Sequence, residues 1–442
     1  MRVERDNTMD EQTIRNQLSH TLNETNFNFG EVYHGKVRDN YTIGNIMTMV
    51  TSDRLSAYDR IITTIPFKGQ VLTQLALFWF NQTKDIVPNH VISTPDPNVM
   101  QVKKLKPLPI EAVVRAYITG TTSTSAWTNY AKGVRNFCGN ILPEGLKKDQ
   151  KLNEVIFTPS TKAEKEDHDE SVSKEQILAR TDLTEEQFEK VKEISMKLFK
   201  RGQEIAAEQG VILVDTKYEF GLDGDTITLM DEIHTPDSSR LWYADEYQTR
   251  FQAGEEQKRI DKDHLRTWLA ANNFTGDGEV PKVPDEIRIQ VANKYIEAYE
   301  LITGQKFQAQ PGDVTSRIRL NLKLLTDGSE DENSDLIKGI IKGIIKEIVN
   351  DSTGIKVTEL VTQVYVHCRE REIDIPDTGK YMLKLLRYVD DLVNDHEIIE
   401  LDYVLLVSDY RIKSLYFPKG TKLYPIGEVE TIELPEMRGK RQ

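Results

Sequence analysis

Apolar residues recur at short, strand-like spacing from about residue 31 to 118. The runs "GEVYHGKVRDNYTI", "NIMTMVTSD" and "EAVVRAYIT" are brief, rich in β-branched residues and bounded by Gly, Asn or Pro. One stretch breaks this period: "VLTQLALFWFNQTK" spaces its apolar residues at i, i+3 and i+4, which predicts a helix. From Ser125 onward helices and strands alternate. "TEEQFEKVKEISMKLFKRGQEIAAEQG" offers Thr184 and Gln187 as a capping box, a long amphipathic body and Gly210 as a stop. It runs into "ILVDTKYEFG", turns at Asp223-Gly224, and returns as a second strand that brings Asp231 back beside Lys217 and Glu219, with the register left open. Two more helices follow, "DKDHLRTWLAANNF" and "DEIRIQVANKYIEAYELITGQKF", the second ending at Gly304. The pattern divides the chain into a polar arm (1–30), a β-rich lobe (31–118), an α/β region (119–308), a polar acidic linker (309–335) and a separate C-terminal part (336–442).

At 442 residues, two or three domains are expected. A composition of 38% hydrophobic and 29% charged residues is that of a water-soluble chain, and no apolar run approaches the roughly 18–20 residues that span a bilayer. The start, "MRVERDNTMDEQ", has no apolar core and carries acids, which argues against a secretory or transit peptide. Cys138 and Cys368 are the only cysteines, so neither a disulfide framework nor a thiolate zinc cluster is expected, and a reducing cytoplasm fits. The net charge of −14 argues against sequence-independent nucleic-acid binding. It leaves small anions open as ligands, because local cations set the potential at a site.

Several polar groupings stand out against this background. In "ILVDTKYEFG" the side chains of Asp215, Lys217 and Glu219 share one strand face. A solvated face with paired charges would look the same. "YHGKVRDNY" puts Gly35 before Lys36 and Arg38 at a strand exit, suited to a polyphosphate, although a Gly-Lys pair at a turn is also an ordinary hairpin. "TSDRLSAYDRIITTIPFKG" holds Asp53, Arg54, Ser56 and Asp59 in what is otherwise read as a charged loop. Arg115 sits in an apolar strand and needs a partner or an anionic ligand, and "GTTSTSAW" beyond it offers hydroxyls and amides at a helix start. Lys162, His168 and Asp169 lie in "FTPSTKAEKEDHDE". Asp231, Asp237, Ser239 and Arg240 lie in "DEIHTPDSSRLWY", with His234 an ordinary polar contact.

Six of these segments, "GKVRD", "SDRLSAYD", "PLPIEAVVRAYITG", "IFTPSTKAEKEDHDE", "VDTKYEFG" and "DEIHTPDSSRLW", are collinear. Over about residues 30–308 the chain closely resembles the SAICAR synthetase family of purine biosynthesis. The resemblance implies an α/β (α+β) fold, with a β-rich N-terminal lobe like the small lobe of kinases and an ATP-grasp-like region. It also implies ATP-dependent joining of L-aspartate to the carboxylate of carboxyaminoimidazole ribonucleotide, by way of an acyl phosphate. A carboxylate is a poor electrophile until it is phosphorylated, so positioning and charge neutralisation are the protein's task.

Roles carried over by that resemblance are as follows. Lys36 with Gly35, Val37 and Arg38 holds the ATP phosphates, and the segment Val102 to Glu111, Leu105 included, contacts adenine. Glu219 and Asp231 hold Mg²⁺. Lys162 and Lys217 neutralise the transferring phosphoryl group, with Asp215 as a third catalytic candidate. Arg115, Arg240 and a hydroxyl of Ser123 or Ser125 suit the ribonucleotide phosphate. Asp53, Ser56, Asp59, His168, Asp169, Asp215, Asp237 and Ser239 remain for the imidazole and aspartate. A kinase acting on another carboxylate, or a degenerate nucleotide-sensing scaffold, would share many of these features.

The C-terminal part carries three helical patterns and a strand pair, "DYVLLVSDYRIKSLYFPKG", which is the order of a winged helix. Residues 311–442 hold 19 Lys and Arg against 24 Asp and Glu, and Asp390, Asp391 and Asp395 occupy the third helix. This favours contact with a protein partner or self-association over DNA.

Overall fold

The computed structural model describes residues 9–322 apart from 59, 162–169, 261 and 262. The expected site residues Asp59, Lys162, His168 and Asp169, and the expected accessory domain 336–442, lie outside the described residues.

A five-stranded antiparallel sheet builds the N-terminal lobe from β1 (Glu31–His34), β2 (Arg38–Ile43) and β3 (Ile46–Thr51). The small hairpin β4 (Arg54–Ala57) and β5 (Arg60–Thr64) follows, and β6 (Val91–Asp96) and β7 (Val99–Lys103) complete the order β1-β2-β3-β7-β6. The alternation along β2 decides what each face does. Asp39 and Tyr41 point to one side, under the arm of residues 9–30: Asp39 accepts from the amide of Thr25 at 2.7 Å, and the Tyr41 ring lies 4.6 Å from that of Phe29. Ile14, Leu22, Phe27 and Phe29 are buried, so the arm is ordered and belongs to this lobe. Arg38 and Asn40 point to the opposite side, where the second sheet begins.

That sheet contains β8 (Lys106–Ile118) and, after the short pair β9 (Asn136–Phe137) and β10 (Asn140–Ile141), β11 (Gln150–Phe157), β12 (Val211–Asp223), β13 (Thr226–Met230) and β14 (Ser239–Tyr243). Only two residues separate β7 from β8, so the chain passes from one sheet to the other at Lys104 and Leu105. β12 is the spine. It pairs with β8 on one edge, and on the other with β14 near its start and β13 near its end. The helix Glu185–Glu208 starts from the expected capping box and packs Phe188, Val191, Ile194, Leu198 and Phe199 beneath the sheet. Each such side chain contributes about 1.5–3 kcal/mol by leaving water. Gly202 completes that face, because a Cβ there would come within 2.3 Å of the His234 ring. His234, expected as an ordinary polar contact, makes one inside the core: Tyr218 Oη lies 2.6 Å from its Nε2, and burial pushes its pKa down to about 3.

The predicted apolar helix begins three residues earlier than its pattern, spanning Lys68–Thr83, and the helix Asp285–Thr303 packs against it. From residue 309 to 322 the chain stays on the body. The side-chain amide of Gln70 brackets the backbone of Gln310 at 2.8 and 2.9 Å, and that of Gln17 brackets Gly312 at 2.7 and 2.9 Å. The helix Val314–Asn321 then buries Val314 and Ile318, and Arg317 pairs with Asp96 at 3.0 Å. Residues 309–322, the start of the stretch expected as a linker, are thus packed against the N-terminal lobe. Among the described residues, no helix is long and apolar enough to cross a membrane.

Candidate active site

Register turns the charged alternation on β12 into a two-dimensional array. On β8, Arg115 lies opposite Asp215, Val113 opposite Lys217 and Glu111 opposite Glu219. Lys217 Nζ therefore stands between carboxylates on two strands, 2.6 Å from Glu111 and 3.7 Å from Glu219. Burial would lower the Lys217 pKa, but Glu111 and Glu219 raise it well above its ordinary value and keep the ammonium charged.

Asp231 falls one residue past the end of β13, where Met230 faces Glu219. Its φ of 66° turns the chain out of the ladder, so the carboxylate leaves the strand face that the sequence suggests. It reaches instead to the other sheet, where Arg38 Nη1 donates to Asp231 Oδ1 at 2.5 Å and Arg38 Nη2 lies 3.1 Å from Glu232. Burial works against the Arg38 charge, and Asp231 and Glu232, with Asp237 and Glu219 behind them, more than reverse it. Glu232 is pushed up by burial and by the neighbouring Asp231 and Asp237. Among the described residues, no group of three or more His, Cys, Asp or Glu side chains is arranged to hold a metal ion alone.

The turn carrying Lys36 is held from behind. Arg54, nearly fully buried, donates to the carbonyls of Lys36 at 3.2 Å and Gly35 at 3.0 Å and pairs with Asp39 at 2.7 Å. Ser52 donates its amide and hydroxyl to the carbonyl of Val37 at 2.9 and 2.6 Å. With its carbonyls tied back, the turn is stiff. On the side of β2 away from the arm, Arg38 Nε and Asn40 Oδ1 are buried without a hydrogen-bond partner, as is His90 Nε2. A buried polar atom left in that state costs about 1–3 kcal/mol, and a bound polar ligand or water would recover it. Val102 and Leu105 are buried where the chain crosses between the sheets.

A second cationic group lies across three strands, since Asp215 is in register with Arg115 on β8 and with Arg240 on β14. The Asp215 carboxylate accepts from both guanidinium groups, at 3.3 Å from Arg115 and in close contact with Arg240. Arg115 is completed by Thr158 Oγ1 at 2.8 Å and the carbonyl of Thr124 at 3.1 Å. Gly120 (φ 97°) brings the following turn against this row: a Cβ there would lie 2.3 Å from Ser125 Oγ and 2.9 Å from Arg240 Nη2. Ser125 is buried at that point, in the N-cap position of the helix Ala126–Ala131, whereas Ser123 is exposed. Ser239 is buried, with its hydroxyl 2.7 Å from Thr216 Oγ1.

The family model of SAICAR synthetase matches residues 31–283. The chain belongs to the SAICAR synthetase family. The phosphoribosylaminoimidazole-succinocarboxamide synthase of Legionella pneumophila (strain Paris) is 48% identical over 306 residues, covering 68% of this chain and 97% of that protein. The synthase of Bacteroides thetaiotaomicron is 48% identical over 309 residues, again covering 97% of its length. The solved structure of the SAICAR synthase from Saccharomyces cerevisiae, complexed with SAICAR, superposes with a TM-score of 0.57 at 37% identity, over 65% of this chain and all of that one. As a member of this family, the chain is an ATP-dependent carbon–nitrogen ligase of purine biosynthesis, with a mixed helix-and-sheet fold.

Set against this identity, the array on β8, β12 and β14 gathers Glu111, Arg115, Asp215, Lys217, Glu219 and Arg240 of the expected site, with Asp231 and Asp237 at its edge. Asp53 stands apart. It is buried and accepts from the amides of Leu22 at 2.7 Å and Gly69 at 2.9 Å, and burial raises its pKa to about 6 despite those donors. Its carboxylate thus fastens the arm and caps the helix Lys68–Thr83. Ser56 lies on the β4–β5 hairpin. Sequence reasoning missed Thr158, the anchoring role of Arg54, and Lys68, a wholly buried cation 2.8 Å from Asp237. A Lys directly before a glycine and an apolar helix was the only available sign of the last.

Proposed function

We propose that the Lys36 turn and the Lys217 array together form the ATP site, and that the Arg115–Asp215–Arg240 row with Ser125 receives the ribonucleotide phosphate. The observation that carries this reading is the cross-strand register, which puts a cation-rich row beside a mixed acid–ammonium cluster on one sheet face. The carboxylate oxygen of carboxyaminoimidazole ribonucleotide attacks the γ-phosphorus, its bond to the bridging oxygen breaks, and ADP leaves. The amine of L-aspartate then attacks the activated carbonyl carbon, the C–N bond forms, phosphate departs, and the amine gives up its proton. In this reading Lys217 and Arg38 offset charge on the transferring group.

Mg²⁺ fits the donor set as a shared ligand. Glu219 and Asp231 offer hard oxygens, and a nucleotide supplies the rest of the shell such an ion prefers. Bound there, it would neutralise phosphate charge while Lys217 and Arg38 orient the two carboxylates. The chemistry is tested by incubating the protein with ATP, L-aspartate and the carboxylated ribonucleotide and identifying the product. The reading expects ADP release coupled to a succinocarboxamide product. Rapid multiple-turnover ADP release without aspartate would make the protein a kinase and overturn it.

A further inference from the structure

Lys68 is placed where a cation should not be. It is the first residue of a 16-residue helix, entered through Phe67 in the left-handed conformation (φ 62°), and its side chain is 0% exposed. The N-terminal end of a helix carries partial positive charge, and burying an ammonium costs several kcal/mol, so both terms oppose it. What offsets them is Asp237, 2.8 Å from Nζ. The other oxygen of Asp237 accepts from Tyr295 Oη at 2.6 Å, and the Lys68 ammonium lies 5.4 Å from the Tyr295 ring centroid. Apolar side chains of the same size would serve packing as well.

Asp237 also stands at the edge of the reaction machinery. Its charge acts on Arg38 and Glu232. The next residue, Ser238, accepts from the backbone amide of Lys217 at 3.1 Å, and the turn is closed by Thr235 Oγ1. Movement of Asp237 therefore displaces both the backbone of Lys217 and the field at Arg38. We propose that Lys68, with Tyr295, is a positioning residue of the ligase reaction, fixing Asp237 beside the carboxylates that handle the substrates. This rests on the reading that puts Asp237 in the substrate site.

The test compares Lys68→Met, Tyr295→Phe, Asp237→Asn and the double variant Lys68→Met/Asp237→Asn in the full chain, with folding checked by thermal melting. Lys68→Met is expected to lower kcat at least 30-fold, because Lys217 and Arg38 act on the transferring phosphoryl group, while the KM for each of the three substrates changes far less. Tyr295→Phe, which removes only a hydroxyl, should lower kcat three- to tenfold, and it decides the matter if Lys68→Met does not fold. The double variant should be no worse than Asp237→Asn, because Lys68 acts through that carboxylate. Full activity in Asp237→Asn would refute the substrate-site placement itself. An impaired Asp237→Asn beside fully active Lys68→Met and Tyr295→Phe would refute the positioning role alone, as would losses that add in the double variant.

Discussion

Lys217→Met isolates the ammonium that the register of β8 and β12 puts between two acids. Its Nζ lies 2.6 Å from Glu111 and 3.7 Å from Glu219. At an effective dielectric of about 20 these contacts correspond to roughly 6 and 4–5 kcal/mol of direct attraction. Much of that is offset by desolvation and screening, because the side chain is 38% exposed, so the net loss of stability should be only about 1 kcal/mol. That lowers Tm by about 2–4 °C in a body of this size. The catalytic loss should be far larger. A preorganised cation facing a transferring phosphoryl group is worth about 3–4 kcal/mol of barrier, or roughly 10²–10³ in kcat. Methionine also leaves Glu111 and Glu219 facing incoming phosphate without their counter-charge, which adds repulsion. The raised pKa of Lys217 fixes the sign of the pH dependence: its charge is fully present below the ordinary lysine value and is lost only as pH rises beyond the elevated one. The ratio of wild-type to variant kcat should therefore stay flat between about pH 6 and 9, and Lys217→Arg should recover part of the rate. Steady-state ADP release at saturating ATP, read beside a melting curve, separates the two effects. A Lys217→Met enzyme within tenfold of the wild-type kcat would refute the assignment.

Arg240→Lys keeps a charge near Asp215 but removes the planar fork, and should raise the KM for the ribonucleotide about 10- to 100-fold, matching about 1.5–3 kcal/mol for a charged hydrogen bond; with each substrate varied in turn, a selective rise in the KM for ATP would move Arg240 to the nucleotide. A chain ending at Leu322 should fold and make product, whereas one ending at Gly312 loses the buried Val314, Ile318 and Leu322, each worth about 1.5–3 kcal/mol, together with the Arg317–Asp96 pair. Melting curves and product formation compare them; equal stability would refute the docking of residues 314–322, and a folded but inactive chain ending at Leu322 would show that later residues complete the site.

What the sequence made legible was local. The capping box of Thr184 and Gln187 and the chain reversal at Asp223 and Gly224 depend on residues a few positions apart, and the structure has both. The charged alternation on β12 was equally local, and by itself it was indistinguishable from a solvated strand. Its meaning lies in pairings that no periodicity encodes: Asp215 with Arg115, 100 residues earlier, and Lys217 with Glu111, 106 residues earlier. The same separation explains Lys68, whose partner Asp237 is 169 residues away. Lys68 also carries no pattern of its own, since at the mouth of an apolar helix a lysine ordinarily reads as a solvated end. Arg54 was visible as one charge in a polar loop, but its grip on the Lys36 turn depends on that loop folding back across β2. Asp231 shows the remaining limit. Counting along β13 returns it toward Glu219, yet a single left-handed residue sends it to Arg38 in the other sheet, so one backbone torsion decides which cation the carboxylate meets.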